Sequence, residues 1–218
     1  MITPPGGGGD SPDTPTVNHS DEITIKVDFQ PYENQNFGYD QLTYDVHKPM
    51  YEQVNIQDEL QYIPWKSVSS TGSDKVLVKF SDYDTTITPG HVKFRTTSGM
   101  EITPLEYEGK EYMRMLMFNG KTHEETEGIE AYITYLDSED DEEKELILQK
   151  FNTISYDKKT INLKIVPVNG ETGLSVADFT KAINNIYKQS VVEWNITLDD
   201  VFYIDQEDWD KNNDGEMN

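Results

Sequence analysis

Apolar and polar residues alternate along several stretches of the chain after its first twenty residues. In the stretch EITIKVDF, the apolar residues Ile23, Ile25 and Val27 alternate with polar ones. The same two-residue period recurs at 75–80, 91–96, 111–118 and 128–136. A period of two over this length predicts strands with one buried face.

Short turn motifs such as STGSD, TTSG and FNGK separate these predicted strands. Short strands joined by such turns are typical of an antiparallel sandwich. We therefore predict a mainly β protein, with an antiparallel Ig-like β-sandwich over residues 21–157. The positions expected in its core are Ile23, Ile25, Val76, Val78, Phe80, Phe94 and Ile133.

The pattern changes after residue 157. The stretch KTINLKIVPV (159–168) has apolar residues on both faces, which predicts a strand covered on both sides. The stretch at 175–192 predicts an amphipathic helix that begins at the capping residue Ser175. The stretch VEWNITLDDVFYI then returns to strand character. Residues 158–218 are thus expected to form a strand–helix–strand unit, an incomplete α/β domain. The helix residues expected to face its sheet are Val176, Phe179, Ala182, Ile183, Ile186 and Tyr187.

Two other regions have distinct compositions. Residues 1–20 begin with MITPPGGGGDSPDTPT, which lacks the basic and apolar segments of a signal peptide and is expected to be a flexible linker. Residues 37–65 are rich in aromatic side chains, which we expect to pack over the sheet; the alternative is a platform that stacks on sugars. The aromatic residues concerned are Tyr39, Tyr44, Tyr51, Tyr62 and Trp65.

Charge and cysteine content narrow the classes of function. The 41 acidic and 18 basic residues give a net charge of −23, which repels phosphate backbones and argues against a nucleic-acid partner. The absence of cysteine excludes disulfides, zinc–thiolate sites and thiol nucleophiles. No apolar run reaches the length of a membrane-spanning helix, so membrane insertion is not expected.

Candidate catalytic motifs are incomplete. The stretch HEETE (123–127) resembles the zinc-protease motif His-Glu-x-x-His, but Glu127 stands where the second histidine is needed. The stretch also lies between a turn and a predicted strand, whereas the motif requires a helix. Seven acids between Asp137 and Glu145 predict a solvated hairpin tip or a helix start, with a cation site as the alternative. No catalytic residue is assigned.

The end of the chain resembles the first half of a calcium loop. In DKNNDGEMN, the residues Asp210, Asn212 and Asp214 occupy loop positions 1, 3 and 5, and Glu216 would supply the carbonyl of position 7. The bidentate acid of position 12 would fall beyond Asn218. Calcium is therefore the one cofactor that the sequence suggests, and we expect weak binding at most.

Several stretches together resemble one group of proteins. FGYD, IPWKSV, FNTISYDKKTINLKIVPVNG, AINNIYKQSVVEWNITL and WDKNNDGEMN are similar to the region that precedes the His-Glu-x-x-His helix in secreted or cell-surface zincin-like metallopeptidases of Bacteroidetes. The resemblance implies that residues 158–218 are the start of a zincin-like α/β unit. It also implies a secreted or surface-exposed bacterial protein, and it assigns no zinc ligand to this chain.

Two functions are consistent with these observations, and a complete hydrolase is the weakest alternative, because no acid, base and nucleophile have a recognisable spacing. The first is a non-catalytic accessory region of a secreted or surface zincin-like protein. The alternative is a stand-alone extracellular binding or adhesion module of the β-sandwich type, with a protein or a glycan as its partner. The continuation of the reading frame beyond Asn218 distinguishes the two.

Overall fold

A computed structural model of the chain describes residues 14–17, 20–33, 35–139, 142–170 and 173–205. The chain divides into two compact units, Met1–Tyr156 and Asp157–Asn218. The protein is mainly β, as the alternation predicts. Its strands are β1 (Thr16–Val17), β2 (Lys26–Pro31), β3 (Tyr39–Asp40), β4 (Gln53–Ile56), β5 (Glu59–Tyr62), β6 (Trp65–Ser69), β7 (Ser73–Ser81), β8 (Val92–Thr96), β9 (Leu105–Glu106), β10 (Met113–Asn119), β11 (Thr126–Asp137), β12 (Glu142–Tyr156), β13 (Lys159–Ile165) and β14 (Val192–Leu198).

Two sheets form the first unit. The larger sheet has the strand order β1-β11-β12-β6-β3. The sixth strand, β8, stands outside this order and pairs with β11. The smaller sheet has the order β2-β7-β10-β9 and is antiparallel throughout. In the larger sheet, β1 pairs with β11 and β6 pairs with β12 in parallel. The antiparallel prediction therefore holds for most strand pairs, and these two parallel pairs depart from it.

The buried faces of the two sheets share one hydrophobic core. The ring of Phe29 on β2 meets that of Phe151 on β12 with centroids 4.7 Å apart, in an edge-to-face arrangement. All seven positions expected in the core are buried, the most exposed being Ile23 at 4%. The unit is thus a β-sandwich, because side chains of both sheets interdigitate between them.

The prediction of a flexible linker over residues 1–20 is wrong for the last part of that range. Thr16 and Val17 pair with β11, and Val17 is buried in the sandwich core. A single apolar residue in a polar stretch does not form a recognisable period, so local pattern alone missed this strand. Residues 1–13 lie outside the described part of the chain.

The aromatic region 37–65 packs largely as predicted. Tyr51 is buried and donates a hydrogen bond to Asp40 at 2.8 Å, while the hydroxyl of Tyr39 donates to the Phe29 carbonyl at 2.9 Å. Burial raises the pKa of Tyr51 to about 12, and Asp40 adds to the shift. Tyr44 departs from the prediction, since it is 65% exposed beside the 3-10 helix Asp45–Met50.

The acidic run at 137–145 follows the hairpin interpretation. Residues Asp137 and Glu142 pair across the end of the β11–β12 hairpin, and the acids after residue 141 lie on β12. No group of three potential metal-ligating side chains occurs within the described ranges.

The second unit contains a strand–helix–strand motif. The helix α1 (Val176–Tyr187) connects the parallel strands β13 and β14. It begins as predicted at Ser175, whose hydroxyl accepts a hydrogen bond from the Asp178 amide at 3.3 Å. None of the described helices is long and apolar enough to cross a bilayer.

Two predictions about this unit are wrong. Ile186 is 69% exposed and Ala182 is also exposed, whereas Phe179 and Ile183 are half-buried. The half-buried stripe includes Asn184, whose side chain bonds both backbone groups of Trp194. The polar residues Thr160, Asn162 and Lys164 on one face of β13 are exposed, and no described element of this unit covers that face.

Candidate functional site

A cavity of about 370 Å³ opens at one end of the sandwich; we call it the end pocket. Its walls come from the segment 100–105, the end of β10 and the start of β11. Its lining includes Met100, Ile102, Leu105, Met117, Phe118 and Ile129 on the apolar side, and Thr96, Glu101, Asn119, Lys121, Glu127 and Thr153 on the polar side.

The mouth of the end pocket is apolar. Met100, Leu105 and Met117 are 62%, 42% and 50% exposed, and the buried core residues Phe118 and Ile129 line the same cavity. Methionine side chains adapt to the shape of a bound group because they are unbranched and polarizable. The volume lies within the range of small-molecule sites, about 300–1,000 Å³.

Glu127 forms the polar floor of the end pocket. Its Oε1 accepts hydrogen bonds from the Thr97 hydroxyl at 2.7 Å and the Ser98 amide at 3.0 Å. Its Oε2 accepts from the Ser98 hydroxyl at 3.1 Å and from Nζ of Lys121. The carboxylate therefore ties the turn after β8 and the β10–β11 connection to the first residues of β11.

These contacts determine the pKa of Glu127. Burial alone would raise the pKa of Glu127, but the hydrogen bonds from Lys121, Thr97 and Ser98 outweigh it and lower the pKa to about 2. The same ion pair raises the pKa of Lys121. Both groups are thus charged at neutral pH, with four donors on the carboxylate, which suits a rigid floor better than a proton-transfer group.

Gly120 allows the β10–β11 connection to pass close to the β6–β7 turn. A Cβ on this residue would lie 1.9 Å from the carbonyl oxygen of Ser69, and its amide donates to the Gly72 carbonyl at 2.9 Å. A residue with a side chain would clash here, so this position requires glycine. The close passage of the two segments places Lys121 at the edge of the end pocket.

The stretch HEETE does not form a zinc site. Residues 120–125 are turn and irregular structure, and β11 begins at Thr126. His123 is near the surface with its ring against Tyr156, whereas the side chain of Glu127 points to the end pocket. A helix is needed to bring two imidazoles onto one face, and none forms here.

The calcium-loop residues lie outside the described residues. This applies to Asp210, Asn212, Asp214 and Glu216. The calcium prediction therefore stays a prediction.

Sequence reasoning missed the end pocket and the role of Glu127. Its local signal is a single acid at the start of the apolar stretch GIEAYITYL, next to a glycine. The donors at residues 97 and 98 are some thirty residues away from Glu127, and Lys121 is separated from it by a turn, so the pattern gives no indication that they converge on it.

A comparison with protein-family models and with curated proteins finds no match to this chain.

Proposed function

We propose that this chain is a non-catalytic binding module and that the end pocket is its ligand site. The observation that carries the proposal is the combination of an exposed apolar mouth and a hydrogen-bonded polar floor in one cavity. Such a combination is typical of sites that take up one apolar group and fix its orientation by a few polar contacts.

The charge of the protein narrows the ligand class. Glu101 and Glu127 line the end pocket with Lys121 as its one basic residue, and the chain carries a net charge of −23. An anionic ligand would be repelled, so the ligand expected is neutral or cationic with an apolar group. A protein segment with an exposed apolar side chain meets this description.

Methyl-labelled methionine NMR provides the test, because methionines lie both inside and outside the end pocket. The probes are acetylated, amidated tripeptides with a central Leu, Phe or Trp, and with a central Asp as the negative control. We expect the apolar probes to shift the methyl signals of Met100 and Met117 and to leave that of Met50 unchanged.

A pair of matched variants locates the binding. Leu105→Asp places a charge at the pocket mouth and should abolish the shifts. Leu60→Asp changes a leucine on β5 that is 52% exposed, against 42% for Leu105, and lies outside the end pocket; this variant should leave the shifts intact. The proposal is refuted if no probe shifts either pocket methionine, or if both variants bind equally.

A glycan site over the aromatic region is the second candidate. The observation that favours it is the exposed ring of Tyr44, next to the exposed Val46 and Met50 on one short helix. The nearby ring of Tyr62 already carries the ammonium of Lys48 at 5.5 Å from its centroid, which limits the area for stacking. Oligosaccharides that shift Met50 and not the pocket methionines would favour this candidate.

We further propose that the module is an accessory region of a larger secreted or surface zincin-like bacterial protein. This proposal is supported by the resemblance of the stretches between residues 35 and 218. It predicts that the reading frame continues into a His-Glu-x-x-His helix, and that the present chain cleaves no unfolded protein substrate with or without zinc. Zinc-dependent cleavage that His123→Ala abolishes would contradict it.

A further inference from the structure

A lysine and an aspartate meet inside the sandwich where its two sheets adjoin. Lys66 lies on β6 of the larger sheet and Asp74 lies on β7 of the smaller sheet. The Lys66 side chain is 0% exposed and that of Asp74 is 2% exposed, and Nζ lies 2.6 Å from Oδ2. Both functional groups are therefore shielded from bulk water.

Backbone amides hold the carboxyl group in place. Oδ1 of Asp74 accepts hydrogen bonds from the Asn36 amide at 3.1 Å and from the Lys75 amide at 2.9 Å. Its Oδ2 accepts from the Phe37 amide at 2.9 Å, in addition to the lysine.

The amine is held as firmly as the carboxyl. Nζ of Lys66 donates to Oε1 of Gln35 at 3.2 Å and to the carbonyl of Phe37, besides Asp74. Fixed contact of two reacting groups replaces an encounter in solution, which removes much of the entropic barrier to their reaction.

We propose that Lys66 and Asp74 condense to an intramolecular amide bond that joins the two sheets. A proton first passes from Nζ to Oδ2, which gives a neutral amine and a neutral carboxylic acid. The lone pair of Nζ then forms a bond to Cγ of Asp74, and the electron pair of the carbonyl moves to Oδ1. A second proton passes from Nζ to the Oδ2 hydroxyl, the Cγ–Oδ2 bond breaks, and one water leaves. No oxidant or further reactant is consumed.

The surroundings favour three parts of this reaction: formation of the neutral amine, attack on the carboxyl carbon and survival of the product. Burial lowers the pKa of the Lys66 amine, although the contact with Asp74 opposes the shift, so the neutral, nucleophilic amine becomes easier to form. The amides of Asn36 and Lys75 point at Oδ1, where negative charge develops, as the donors of an oxyanion hole do. Exclusion of water then protects the amide from hydrolysis.

Intact-mass spectrometry of the unfolded chain is the test. We expect a mass lower than that of the sequence by one water, and a single tryptic peptide that is uncleaved after Lys66, contains both Lys66 and Asp74 and is lighter by one water. Lys66→Met should restore the full mass, and the matched variant Lys75→Met should keep the loss. Since the mass and the peptide map of the wild-type chain decide the question, the test holds even if Lys66→Met folds poorly.

A succinimide at Asp214–Gly215 would produce the same mass loss and must be distinguished. Hydroxylamine opens a succinimide and leaves an amide intact, and tandem spectra locate the modified residues. The proposal is overturned by an unmodified mass, or by a water loss located at Asp214 rather than between Lys66 and Asp74.

Discussion

Replacement of Glu127 by glutamine tests whether this carboxylate stabilises the sandwich as a charged group. Glutamine has nearly the same shape, but it replaces one acceptor oxygen by a donor and removes the negative charge. Since every contact of Glu127 is with a donor, the amide of glutamine would face Lys121 or Ser98 unfavourably. We expect a loss of stability whose size depends on pH.

The magnitude follows from the shift of the pKa. The ordinary value is 4.5 and the value in the fold is about 2. At 1.36 kcal/mol per unit, ionised Glu127 adds about 3 kcal/mol to the free energy of unfolding at neutral pH. Because the pKa is lowered by folding, this stabilisation is complete above pH 4.5 and is lost as the pH falls toward 2.

Urea unfolding followed by the fluorescence of Trp65 measures this contribution within the first unit. Trp194 and Trp209 are replaced by phenylalanine in every variant, so that Trp65 is the only reporter. The titration runs from neutral pH down to the lowest pH at which the wild-type unit remains folded. The difference between wild type and Glu127→Gln should be largest at neutral pH and should shrink below pH 4.5.

Glu125→Gln is the matched control. It removes a carboxylate that lies 3.5 Å from the same Lys121 but is 44% exposed, so its effect should be small at every pH. A difference between wild type and Glu127→Gln that stays constant over the titration would refute the reasoning, because it would show that packing rather than charge is lost.

Three further predictions concern other parts of the chain. Gly120→Ala should lower the free energy of unfolding by about 1–3 kcal/mol or more in the same assay, because its Cβ would overlap a backbone oxygen, whereas Gly72→Ala meets only a side-chain carbon at 3.2 Å and should cost less. Ile183→Ala should lower the melting temperature of the second unit and Ile186→Ala should not, since only Ile183 packs toward the sheet; equal effects would contradict the observed orientation of the helix. Calorimetry should find weak calcium binding at most, because the half loop supplies about four of the 6–8 ligands that calcium takes; tight binding that is lost in Asp210→Ala would overturn this.

The sequence predicted half of the fourteen described strands, and the buried faces of those in the first unit, because both depend on near neighbours. Alternation places Val76, Val78 and Phe80 on one side of β7 whatever the strand pairs with, and all three are buried. The start of α1 at Ser175 is equally local, since the capping hydroxyl and the amide it binds are three residues apart.

The orientation of α1 could be predicted only in part. Apolar spacing gives a broad stripe, but two strands are too narrow a surface to cover all of it, so Ile186 remains exposed while Asn184 bonds to Trp194. The end pocket could not be predicted from the sequence, because Thr97 and Ser98 lie some thirty residues before Glu127 along the chain.

The sequence by itself determined that this protein is mainly β, seven of the positions in its core and where its helix begins. The tertiary structure alone decided the parallel pairs, the end pocket and the burial of charged side chains. Lys66 illustrates the difference: alternation in a short polar stretch gives no reason to bury a lysine, and only the fold brings Asp74 and Gln35 to its ammonium group. A charge enters a core only where distant residues supply its partners, and sequence patterns record neighbours rather than partners.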